Sequence, residues 1–220
     1  MKFEDLDLNQ LYTYADYFSW TFQERVELIR GKIFMLSAPN LFHQDLSSNL
    51  HRDISNYLMG KPCKVYTAPF DVRLPLPPSQ RSDDKITTVV QPDISVICDT
   101  SKLDKRGCIG PPEWLIEVLS PSSKKYDTQK KFELYESAGV QEYWIFYPIE
   151  QRLLTYQLNV DGKYGPAQHY GLDDEVSSLV LPQLVIVLSD IFPFQDMVRE
   201  GRIVYSAEEN DHIILPQKAS

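Results

Sequence analysis

Three charged side chains stand where a folded chain ordinarily wants none: Asp93, Glu117 and Lys131. Glu117 interrupts Trp114-Leu115-Ile116-Glu117-Val118-Leu119, a run that is hydrophobic on both alternating faces, as in a central strand covered on both sides. An ionised carboxylate at such a position requires a metal or another cation beside it. Asp93 opens a second strand, Asp93-Ile94-Ser95-Val96-Ile97, directly after Pro92. Two acids at the ends of adjacent buried strands, with a lysine above them, can hold a divalent cation and a water beside a phosphodiester.

Helical geometry places the lysine. With Tyr126 to Gly139 taken as a helix, a rotation of about 100° per residue puts Leu134, Tyr135, Ala138, Thr128 and Phe132 on the same side as Lys131. Gln129, Lys130, Glu133, Glu136 and Ser137 occupy the far side. The adjacent lysines therefore divide, Lys130 toward solvent and Lys131 toward the sheet. A lysine on an apolar face can also run its stem along that face and release its ammonium to water. The two acids in the preceding strands favour the inward reading.

Periodicity and turn residues define the elements that must carry these groups. A short helix spans Leu8 to Phe18, followed by an antiparallel pair, Arg25 to Ile29 and Lys32 to Leu36, over a turn at Arg30-Gly31. A helix from Phe42 to Met59 gathers Phe42, Leu46, Leu50, Ile54, Tyr57 and Leu58 on one face. His43 lies within that arc, as a satisfied core histidine or as a group of a site beside the helix's first turn; His51, at its edge, has weaker claims to such a role. Strands Lys64 to Thr67 and Phe70 to Leu74 precede an exposed connector, Pro75 to Asp84. Asp71 and Arg73 share one side of their strand, as a structural pair or as part of a metal shell. Strand Val89 to Cys98, loop Asp99 to Pro112, strand Trp114 to Leu119, helix Tyr126 to Ala138 and strand Tyr143 to Tyr147 complete the centre. The last three form a right-handed β-α-β unit with Gly139 at the helix C-terminus. Beyond Pro148, Arg152 to Val160 and Lys163 to Tyr170 read as a hairpin over Asp161-Gly162 that extends the sheet. Leu184 to Leu188 is one more strand, and Ile191 to Arg199 a terminal helix.

The residues Pro92-Asp93, Glu117 and a nearby lysine resemble the PD-(D/E)XK nuclease superfamily, and within it the bacterial restriction-endonuclease-like group of the Uma-two type. The resemblance runs from about Glu24 to Phe194. It rests on Val26-Glu27-Leu28-Ile29-Arg30-Gly31-Lys32-Ile33, His43-Gln44, Val90-Gln91-Pro92-Asp93, Ile116-Glu117-Val118-Leu119-Ser120-Pro121-Ser122, and Asp127 to Tyr135 followed by Ala138-Gly139-Val140-Gln141-Glu142-Tyr143-Trp144. In the superfamily the lysine stands two residues after the acid, a position held here by Leu119; the resemblance implies that Lys131 replaces it from the following helix. It implies an α/β fold of the mixed α+β kind, a restriction-endonuclease-like core over about 24–194 with flanking helices and an added C-terminal β-hairpin, in one domain with terminal extensions 1–23 and 195–220. It further implies a Mg²⁺-dependent endonuclease for DNA, with Mn²⁺ as a substitute cation, Asp93, Glu117 and the Val118 carbonyl as metal ligands, Lys131 beside the reacting phosphate, and His43 and Glu27 in the same site. A homodimer is implied as well, since cutting two strands needs two symmetry-related sites.

Composition limits these expectations. The 220 residues are 43% hydrophobic and 12% aromatic, which excludes a disordered chain. A net charge of −9 opposes nucleic-acid binding, because lysines and arginines carry most non-specific affinity for phosphates. Part of the acidic excess lies at Glu4-Asp5-Leu6-Asp7 and Glu208-Glu209-Asn210-Asp211, outside the matched core, while Lys102, Lys105, Arg106, Lys124 and Lys125 are either local positive charge for the site or a solvated loop. Cys63, Cys98 and Cys108 lack metal-ligand spacing, and the N-terminus lacks a signal-peptide pattern, so a cytoplasmic location is expected. No membrane span is predicted. Two other readings stay open: a module on the same fold that binds nucleic acid or protein without cutting, and a glycosidase using Asp93 and Glu117 as an acid/base pair.

Overall fold

The computed structural model describes residues 3–119 and 126–192, and for 126–128 the backbone alone. Along the chain these residues form α1 (Tyr14–Ser19), β1 (Val26–Ile29), β2 (Lys32–Met35), α2 (Leu41–Leu58), β3 (Lys64–Thr67), β4 (Val72–Arg73), β5 (Val89–Val90), β6 (Ile94–Ile97), β7 (Leu103–Asp104), β8 (Gly107–Ile109) and β9 (Trp114–Val118). There follow α3 (Tyr126–Ala138), β10 (Glu142–Tyr147), β11 (Arg152–Gln157), β12 (Gln168–Tyr170), β13 (Glu175–Ser177), β14 (Val185–Val187) and α4 (Leu188–Ile191). One six-stranded sheet has the order β2-β1-β5-β4-β8-β7 and another the order β12-β11-β10-β9-β6-β3; β13 and β14 pair separately. The mixed α+β architecture is as expected.

The second sheet carries the acids, and helices cover both of its faces. Trp114, Ile116 and Val118 of β9 pack with Leu46, Leu50, Ile54 and Leu58 of α2. Leu115 and Leu119 point the other way, into a cluster with Leu134 and Tyr135 of α3. Burying a large aliphatic side chain contributes about 1.5–3 kcal/mol, so the buried stripe of α2, from Phe42 to Leu58, holds that helix firmly on the sheet. Strands β9 and β10 are parallel with α3 between them, and Gly139 leaves α3 at φ 85°. The hairpin β11–β12 extends the same sheet beyond β10.

Several boundaries move, each for a local reason. The helix expected over Leu8 to Phe18 begins only at Tyr14, because Thr13 caps it in a reciprocal box with Asp16. The strand expected over Val89 to Cys98 breaks at Gln91-Pro92-Asp93: β5 pairs in the first sheet and β6 in the second. Pro92 has no N–H to continue a ladder, so the chain crosses between sheets there. Phe70 to Leu74 reduces to the two residues of β4, and the loop Asp99 to Pro112 contains the hairpin β7–β8. Leu184 to Leu188 yields β14, which pairs with β13 instead of joining a large sheet. The terminal helix expected over Ile191 to Arg199 falls mostly on residues 193–199, outside the described residues; before it the chain forms the short α4, which ends at Ile191.

Cys63 and Cys98 form a disulfide, and Cys108 is a buried free thiol. The pairing follows from register: Lys64 faces Ile97 across β3 and β6, so the next residues outward are opposite one another. Sequence separation alone, 35 residues, carries no such information.

Candidate active site

Register brings the acids together. Ile94 of β6 faces Ile116 of the antiparallel β9, so one further step sets Asp93 opposite Glu117. Asp93 uses both oxygens: Oδ2 accepts the Val118 N–H at 2.7 Å and Oδ1 lies 3.0 Å from His43 Nε2. His43 comes from the first turn of α2, whose N-cap Asn40 accepts the His43 backbone N–H. Glu117 Oε1 accepts from Lys131 Nζ at 3.0 Å and from the Tyr135 hydroxyl at 2.7 Å, two groups one turn apart on α3. Lys131 also donates to Glu27 Oε1 at 3.2 Å, and that same oxygen accepts the Gln91 N–H at 2.7 Å.

Asp93 with His43 and the Val118 N–H, and Glu117 with Lys131, Tyr135 and Glu27, thus form two hydrogen-bonded groups that meet at the Glu117–Val118 step of β9. Asp93, Glu117, Val118, Lys131 and His43 line a cleft of about 510 Å³, with α2 as one wall. Glu27 is 2% exposed and stands behind Lys131, holding it without reaching the cleft. Lys130 departs from the solvent-facing expectation: it is half-buried, with its ammonium over the ring of Phe34 in β2, the cross-strand neighbour of Glu27. His51 lines the cleft farther along α2. Asp71 does not join the acids; it accepts from Tyr17 and Gln91, while Arg73 pairs with Asp104. Lys102, Lys105 and Arg106 do not line the cleft, Lys102 pairing with Glu113 and Arg106 with Asp83; Lys124 and Lys125 lie outside the described residues. Tyr135, Gln91 and Arg25 were not singled out from sequence. Tyr135 could have been found from its place one turn after Lys131 on the same stripe.

Burial pushes the Glu117 carboxyl up to about 7; Lys131 opposes this, and Asp93 and Glu27 add to it. For Lys131, burial acts to lower the pKa, yet Glu117, Glu27 and Asp93 together hold it well above the ordinary lysine value. Burial likewise acts to lower the His43 pKa, but the Asp93 hydrogen bond and charge, with Glu117, raise it. Because Glu117 titrates higher folded than unfolded, its contribution to stability is full below about 4.5 and is withdrawn as pH rises through about 7. Metal-free wild type should accordingly lose melting temperature over that interval, and Glu117→Gln should flatten the profile; parallel profiles in thermal scans would refute the assignment.

The donor set suits a hard divalent cation. Two carboxylates on paired strands open onto a polar cleft, and carboxylate and carbonyl oxygens are the ligands such ions prefer. Among the described residues no group of three or more His, Cys, Asp or Glu side chains is arranged to enclose a metal. Two carboxylates alone would leave most of the coordination of such an ion to other oxygens, and Mg²⁺ commonly keeps several waters.

The match to known proteins agrees with this geometry. The model of the Uma2 family, described as putative restriction endonuclease, covers residues 14–189. The chain belongs to the Uma2 family. Two uncharacterized proteins of Synechocystis sp. are similar to this Uma2 chain, one 27% identical over 152 residues (68% of this chain and 75% of the relative) and the other 26% identical over 137 residues (61% and 72%). A crystal structure from Anabaena variabilis, described as a putative nuclease belonging to DUF820, superposes with a TM-score of 0.66 at 19% identity, covering 82% of this chain and 97% of the other. That likeness establishes a shared fold. Among the described residues no helix is long and apolar enough to cross a membrane.

The role of His43 in this Uma2 site is open to a direct test. Nε2 meets Asp93 at the cleft, so His43→Ala should reduce cleavage more than it reduces melting temperature. A purely destabilising effect, with turnover per folded molecule unchanged, would make His43 a core residue.

Proposed function

We propose that this protein is a divalent-metal-dependent endonuclease that hydrolyses phosphodiester bonds of DNA. The observation that carries the reading is the convergence of Asp93, Glu117 and Lys131 at the floor of one cleft, from β6, β9 and α3. Membership of a family whose model is described as putative restriction endonuclease supports it. Asp93, Glu117 and the Val118 carbonyl would hold Mg²⁺, or Mn²⁺ in its place, which lowers the pKa of a bound water and polarises the phosphoryl group. Lys131, fixed between Glu27 and Glu117, orients the attacking water and stabilises the charge developing on the phosphate oxygens. His43 restrains the Asp93 carboxylate, and Tyr135 restrains that of Glu117. Water adds at phosphorus, one P–O ester bond breaks, and a phosphomonoester and a hydroxyl are formed.

The reading includes a homodimer, which presents two sites to a duplex, and a cytoplasmic location; the Cys63–Cys98 disulfide stands against that location, because cytosolic proteins rarely keep one. The deciding experiment is incubation of the wild-type protein with supercoiled plasmid and single-stranded DNA in Mg²⁺, in Mn²⁺ and in chelator, with mass by light scattering. Cleavage in either metal and none in chelator supports the proposal. Binding without cleavage in both metals would leave a non-cutting module on the nuclease fold; the net charge of −9 opposes nucleic-acid binding equally in both readings.

A further inference from the structure

The cleft floor is acidic, yet the proposed substrate is a polyanion, so some group must offset Asp93 and Glu117 when the phosphate backbone enters. Lys131 is already shared between two carboxylates. Arg25, just before β1, is the other lysine or arginine among the described residues lining the cleft, and it is half-buried. Its guanidinium is held from one side: Nε and one terminal nitrogen donate to Gln91 Oε1 at 3.3 and 2.8 Å. That partner is a neutral amide, which fixes the fork while leaving its charge available.

The Gln91 amide is itself oriented. Its Nε2 donates to Asp71 Oδ1 at 3.0 Å and to the Tyr17 hydroxyl at 3.1 Å, and Tyr17 in turn donates to Asp71 at 3.1 Å. Both amide protons are thereby used, so Oε1 must face Arg25. The Gln91 backbone N–H meanwhile holds Glu27, the residue behind Lys131. Gln91 occupies the crossing between the two sheets, immediately before Pro92-Asp93, so one residue ties together the positions of Arg25, Lys131 and the start of β6.

We propose that Arg25 binds a backbone phosphate of the nucleic-acid strand lying in the cleft, and that Gln91 is the positioning residue that aims it. The inference rests on the nuclease reading, and it explains why the partner is glutamine: a glutamate would pair ionically with Arg25 and set a second carboxylate against Asp71. Arginine suits the task because its planar fork matches phosphate oxygens two at a time.

The test uses full-length protein and short fluorescein-labelled oligodeoxynucleotides, single-stranded and duplex, with Ca²⁺ in place of Mg²⁺, read by anisotropy over a KCl series. Arg25→Gln should weaken binding about tenfold or more and reduce the slope of log K against log[salt] by about 0.7–0.9, the value of one phosphate contact. Gln91→Glu, with Arg25 intact, should lose affinity in the same direction, and Arg25→Lys should recover part of the salt slope. In the cleavage assay Arg25→Gln should raise KM more than it lowers kcat, and calorimetric Mg²⁺ binding should be unchanged. An unaltered slope and KM in Arg25→Gln, with wild type cutting normally, would overturn the phosphate site and leave the nuclease reading standing. Wild type that binds with the Arg25-dependent slope but never cuts would sustain the phosphate site and overturn the nuclease reading; wild type that neither binds nor cuts would overturn both.

Discussion

Lys131→Met should lower phosphodiester cleavage by about 10² or more, whereas Lys130→Met should leave it near wild type. The residues are adjacent and chemically alike, separated by the rotation of about 100° that each helical step imposes. That rotation sets Lys131 between Glu27 and Glu117 and Lys130 over Phe34. Helical geometry by itself predicts that Lys131→Met, which keeps the apolar stem, leaves folding nearly intact. The double ion pair changes that expectation. Deleting the ammonium leaves two buried carboxylates without their cation, a loss of about 3–5 kcal/mol for a buried pair broken on one side. Glu27→Gln combined with Lys131→Met should recover much of the melting temperature by removing one of those charges, while cleavage stays low. Equal cleavage by the two single variants, or recovery of cleavage along with stability in the double variant, would show that Lys131 serves the fold alone.

Asp93→Asn should abolish calorimetric binding of Mg²⁺ or Mn²⁺ and reduce cleavage by about 10³, since a Lewis acid at the phosphate supplies several kcal/mol of transition-state stabilisation. Asparagine is preferable to alanine because Asp93 Oδ2 accepts the Val118 N–H, and an amide oxygen can keep that bond and with it the local course of β9. Loss of activity can then be assigned to the missing charge. Wild-type affinity for the cation in Asp93→Asn would rule out this carboxylate as a ligand. Glu117→Gln supplies the complementary arm: it removes the second ligand but also a buried carboxyl that burial pushes toward neutrality, so it should lose metal binding without losing metal-free stability.

Local pattern by itself determined where the principal charges stand. The apolar run around Glu117 requires a covered central strand, the 3.6-residue period of α3 separates Lys131 from Lys130, and Arg30-Gly31 sets the β1–β2 hairpin, with φ of 51° and 81° at the two turn residues. Such features depend on neighbours a few residues away, so a linear reading captures them. Long-range pairing decided the rest. The Val89 to Cys98 segment looks like one strand because Val89-Val90 and Ile94 to Ile97 are β-forming on either side of Gln91-Pro92-Asp93, but which sheet each half joins depends on partners far along the chain, β1 and β4 for β5, β3 and β9 for β6. The Cys63–Cys98 pairing has the same origin. So does the part played by Gln91, whose hydrogen bonds span 20 to 74 positions in sequence, to Asp71, Glu27, Arg25 and Tyr17. Polar side chains satisfied across such distances leave no periodic trace, because their geometry is set by how two sheets and the helix α1 meet rather than by the repeat of any one element.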